Sequence, residues 1–97
     1  MRVQFHPAAE AELENAVDYY ESAGQGLGRD FAREVLFAVE RVLAYPHAWP
    51  ILEGDIHRCL VHRFPYGLLY VTSEEAILIL AIMHLRRRPG LWKERNR

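Results

Sequence analysis

The chain has 97 residues, 51% of them hydrophobic and 26% charged, which fits one folded domain spanning 1–97 and excludes a disordered chain or two independent cores. No apolar run reaches the roughly 18 residues of a membrane span, and residues 1–7 lack the apolar middle of a secretory leader. The net charge of −1 hides a division: residues 1–55 carry ten acids against four arginines, residues 56–97 eight bases against three acids, a pattern that suits one basic face for an anionic partner.

In chain order, Arg2-Val3-Gln4-Phe5 alternates polar and apolar and predicts a short strand. Pro7 opens a helix whose early acids, Glu10, Glu12 and Glu14, suit the positive end of the helix dipole. Ala9, Leu13, Ala16, Val17 and Tyr20 make its apolar stripe, and the glycines after Ala23 end it. A second helix over about 28–44 presents Phe31, Val35, Ala38 or Val39, Val42 and Leu43. Together these predict an αα-hairpin on a flat partner. The proline-punctuated stretch 45–50 leads to three strands, over 56–62, 68–72 and 76–84, the last apolar on both faces and therefore central. Residues 91–95 remain as a tail or short helix. The order β-α-α-β-β-β predicts an α+β fold, an antiparallel sheet with two helices on one face. The other face, with the strand arginines and histidines, is expected to meet partners.

Cys59 is the single cysteine, so no internal disulfide forms and a cytoplasmic setting is expected. The histidines have no coherent ligand spacing with acids or the cysteine, so neither metal nor cofactor is expected.

Several residue groups, in order, resemble one family. Residues 11–20 (AELENAVDYY) and 26–31 (GLGRDF) are similar to the helical hairpin of RelE/ParE toxins, including those known as plasmid stabilisation proteins. Pro46 to Pro50, then 56–60 (IHRCL) and 63–66 (RFPY), resemble its passage from helix to sheet, and 79–84 (ILAIMH) with Arg86, Arg87 and 89–92 (PGLW) its last strand and tail. The resemblance covers essentially the whole chain. It implies a growth-inhibiting toxin of a type II toxin–antitoxin system, neutralised by a cognate antitoxin. ParE-like members poison DNA gyrase without known hydrolytic chemistry; RelE-like members cleave mRNA on the ribosome with Lys, Arg and Tyr side chains.

The fold is shared, so the target must be argued from the site. Phosphodiester cleavage by a 2′-hydroxyl needs a base, an acid and cations. The only lysine is Lys93, in the tail, so the strand lysines of a RelE-type site are missing. A catalytic set would have to draw on His84, Arg87, Arg63 and Arg58, with histidine as acid or base. Arg58 and Arg63 suit ion pairs with helix acids equally well, and His84 a structural hydrogen bond. Contacts to the target are expected from Arg86, Arg88, Tyr66, Tyr70 and Trp92. The antitoxin is expected on the exposed members of Tyr19, Tyr20, Val35 and Phe37. The missing lysines favour a ParE-like binder of gyrase over a ribosome-dependent endoribonuclease, with a non-toxic binding partner as the third reading.

Overall fold

The computed structural model describes residues 1–86 and 91–96, with the backbone alone for 91–93. Strand β1 (Arg2–Phe5) leads into helix α1 (Pro7–Ala23), helix α2 (Leu27–Ala44), strands β2 (Ile51–Glu53), β3 (Ile56–Leu60), β4 (Tyr66–Thr72) and β5 (Ala76–His84), and a C-terminal 3-10 helix (Leu91–Asn96). The α+β class is the one the sequence predicts, and the elements follow the predicted order with one addition, the short strand β2.

Pro7 stands at the first turn of α1, and His6 caps it by accepting the Ala8 amide on Nδ1 at 3.0 Å. The turn between the helices divides its glycines by task. Gly24 caps α1 in an extended conformation, whereas Gly26, at φ 87°, takes the left-handed one and starts α2. A glycine cap has no side chain to satisfy the first amides of α2, so Glu21 reaches over from α1. Its two oxygens accept the Gly26 and Gly28 amides at 3.1 and 3.0 Å, with its charge at the positive end of the helix. Gly28 lies where the helices touch: a Cβ there would stand 2.7 Å from the Val17 carbonyl oxygen.

The five strands form one sheet in the order β1-β5-β4-β3-β2. β2 to β5 are antiparallel, as expected, but β1 joins β5 in parallel, so the sheet is mixed. The helical hairpin between β1 and the later strands supplies the long crossover that parallel pairing requires. β1 is short, and its pairing with β5 stops at Phe5 and Ile79, so among the described residues the second half of β5 has no strand on that side. A register shift where Leu69 faces Ala81 and Tyr70 faces Ile79 places Leu80 as an extra residue in β5.

The hairpin packs on one face of the sheet. Ala9, Ala16, Phe31, Val35, Ala38 and Val42 from the helices enclose Cys59, Leu68, Tyr70, Ile77, Ile79 and Ile82. The opposite face carries a second, smaller apolar cluster, Ile56, Leu69, Leu80 and Ala81, flanked by Val71, Leu78 and Met83. This corrects the expectation of a face lined by arginines and histidines. Of those residues, Arg58 lies on it, its aliphatic stem close over Gly67. His57 turns to the helix side, 7% exposed and stacked 5.0 Å from its cross-strand partner Tyr70.

Candidate functional site

The feature best suited to a partner is a groove between the outer flank of α1 and the unaccompanied end of β5. It has a volume near 620 Å³ and is lined by Glu12, Asn15, Ala16, Tyr19, Tyr20, Tyr66, Ile82, His84 and Arg86. Each wall follows from a local rule. Glu12, Ala16, Tyr19 and Tyr20 recur at helical spacing and so share a flank of α1. Tyr66 and His84 are opposite each other in the β4–β5 ladder, which brings their rings to 5.1 Å.

An aromatic ladder supports the groove from beneath. Phe31 of α2 is fully buried and meets Tyr20, Phe64 and Tyr66 at 5.2, 5.1 and 4.9 Å. Tyr20 passes the contact to Tyr19 at 5.2 Å. Stacked and edge-to-face pairs of this kind add to simple burial. Burial raises the Tyr20 phenol above its ordinary value, with Tyr66 and Tyr19 acting in the same direction. The Tyr20 ring is therefore held neutral and suited to stacking or hydrogen bonding. The His84 ring accepts the Arg86 amide on Nδ1 at 3.1 Å.

The structure gathers some of the sequence-predicted residues and disperses others. His84, Arg86, Tyr66, Tyr19 and Tyr20 meet in the groove. Arg58 is on the far face of the sheet, and Arg63, at φ 71°, points to α2, with Asp30 at 3.5 Å and Glu34 at 3.8 Å. Arg63 thus takes the ion-pairing role. Two expectations fail on burial. Tyr70 is fully enclosed, its hydroxyl donating to the Pro46 carbonyl at 2.7 Å, so it has no face for a target. Val35 is 2% exposed beneath the hairpin and cannot meet an antitoxin, unlike Tyr19 and Phe37 at 65% and 42%. Arg87 and Arg88 lie outside the described residues, as does the side chain of Trp92.

Glu12, Asn15 and Arg95 are members of the site region that the sequence reading missed. Glu12 reads as an ordinary acid near the start of a helix, and its contact to Arg95 spans nearly the whole chain. Among the described residues no cluster of three or more metal-ligating groups occurs, and no helix is long and apolar enough to cross a membrane. Cys59 is buried, which raises its thiol pKa against the lowering effect of Arg41, the reverse of what a reactive thiolate needs.

A small α+β domain with a helical hairpin on a mixed sheet is also the architecture of a solved structure titled "Chromosomal ParDE TA system from P. aeruginosa". The two share the fold at a TM-score of 0.63 with 19% identity, over 89% of this chain and 97% of that one. Among curated proteins no relative matches. The family model described as "ParE toxin of type II toxin-antitoxin system, parDE" matches residues 3–89. The chain belongs to the ParE toxin family.

Proposed function

We propose that this ParE-family toxin arrests growth by binding DNA gyrase, without hydrolysing a substrate, and that a cognate antitoxin neutralises it. The observation carrying this reading is the dispersal of the groups that cleavage would need. His84 is in the groove, Arg58 is on the opposite face and Arg63 is tied to Asp30 and Glu34. An acid, a base and phosphate-binding cations must lie within hydrogen-bond reach of one scissile bond, and His84, Arg58 and Arg63 do not converge on one. The groove offers instead what a protein contact uses: aromatic rings, an exposed arginine and a strand end.

Target contacts are assigned to Tyr66, His84 and Arg86, with Arg88 and Trp92 as further candidates from the adjoining segment. The antitoxin is assigned to the exposed aromatics Tyr19 and Phe37, with the half-buried Tyr20 beside Tyr19. A short antitoxin segment crossing the hairpin would cover them and close the groove. The test is a supercoiling assay with purified gyrase and purified toxin. Inhibition, relieved by the antitoxin encoded beside the gene, supports the proposal. Unimpaired supercoiling together with codon-positioned mRNA cuts on induction would transfer the chain to the endoribonuclease reading; a normal growth curve on induction would remove both.

A further inference from the structure

Beyond its pairing with β1, β5 presents the Leu80 carbonyl and the Ile82 amide with no strand beside them among the described residues. An exposed strand edge invites pairing with another chain, yet both groups are taken from within the molecule. Glu12 of α1 accepts the Ile82 amide on Oε1 at 3.1 Å. Arg95 of the C-terminal 3-10 helix donates to the Leu80 carbonyl at 3.0 Å. The two side chains then close on each other as a fork, Nη1 to Oε1 at 2.9 Å and Nη2 to Oε2 at 3.1 Å.

The next residue fixes where the 3-10 helix runs. Asn96 donates to Asp55 at 3.0 Å, in the turn between β2 and β3. Arg95 and Asn96 are thus fastened to β5 and to the start of β3, which flank β4 in the sheet. The 3-10 helix therefore crosses the face that the hairpin does not occupy. That face holds Leu69 and Leu80 at 0% exposure, Ala81 at 2% and Ile56 at 5%.

We propose that the C-terminal 3-10 helix is a strap, closed in this structure, and that Glu12 is its latch. Closed, the strap blocks the open end of β5 and keeps the second apolar cluster dry; open, it exposes both. The latch acts through one carboxylate that bonds strand backbone and guanidinium together. Glu12 also forms part of the groove wall with Tyr19 and His84, so the strap is fastened from the side at which a partner arrives. Glu12 is a positioning residue.

Native-state hydrogen exchange on the full-length protein tests the strap, with binding of an anilinonaphthalene sulfonate dye as a second readout. The variants are Glu12→Gln, which preserves shape, Glu12→Ala and Arg95→Ala. Each is expected to speed exchange at the Ile82 amide by about tenfold or more and to raise dye binding, while the Leu68 amide in the main core exchanges as before. Should Glu12→Ala not fold, Glu12→Gln and Arg95→Ala carry the test. Unchanged Ile82 exchange in both would overturn the latch. Equal acceleration at Ile82 and Leu68 would overturn it too, because Glu12 would then serve global stability and not a local strap.

Discussion

The two faces of the sheet are filled by different means. On the covered face, Phe31, Val42, Leu68, Tyr70, Ile77 and Ile79 are fully enclosed by two long helices joined to each other by a tight turn. On the opposite face, Ile56, Leu69, Leu80 and Ala81 are nearly as dry, but the strap proposed to cover them is a six-residue helix held by Glu12, Asp55 and a strand carbonyl. Burial alone does not distinguish the faces; the depth of what lies above them does. A core packed by regular helices opens only with the fold, whereas a cover held by a few polar contacts opens locally.

Substitutions that break this contrast should rank by depth of cover. Phe31→Ala, at the centre of the aromatic ladder, is expected to cost about 4 kcal/mol in chemical denaturation, and Leu80→Ala about 2, because a light cover can settle into the gap. Equal costs would refute the difference between the faces. Gly28→Ala places a methyl against the Val17 carbonyl and is expected to cost about 2 kcal/mol by forcing the helices apart.

Tyr70→Phe sharpens the covered side. Losing the hydroxyl leaves the Pro46 carbonyl without its donor, at about 1 kcal/mol. Burial raises the Tyr70 phenol to about 12, above its ordinary value of 10.0. The fold prefers the neutral ring, so its contribution is complete below pH 10.0 and is lost as pH rises towards about 12. Alkaline denaturation of Tyr70→Phe should show a shallower loss of stability across that window than the parent chain; identical curves would argue against the shift. Smallest is Arg63→Ala. Its side chain is 56% exposed beside Asp30 and Glu34, and such pairs contribute under about 1 kcal/mol, so its midpoint should hardly move.

The covered side was readable in the sequence because periodicity reports it. Phe31, Val35, Ala38 and Val42 recur at helical steps, and the alternation in β1 and the apolar run of β5 gave their strands. The parallel seat of β1 did not follow from pattern, since strand pairing is chosen by the whole chain. β2 was missed for a related reason: three exposed residues between Pro50 and Gly54 carry no alternation, and only pairing with β3 makes them a strand. Tyr70 looked like a surface candidate because residue type does not show which face of the sheet a side chain takes. The groove was half legible. Tyr66, His84 and Arg86 stood out by type, but Glu12 acquires its meaning from Arg95, 83 positions away.

The central claim, a toxin that binds and does not cleave, is tested most directly by comparing the parent chain with His84→Gln and Arg86→Glu against purified gyrase and, separately, on mRNA in induced cells. Glutamine can keep a hydrogen bond at position 84 but cannot serve as acid or base at neutral pH. The account predicts that His84→Gln still inhibits supercoiling, that Arg86→Glu inhibits at least about tenfold less well by reversing a charge at the contact, and that none cuts mRNA. Codon-positioned cuts by the parent chain, abolished by His84→Gln, would contradict it.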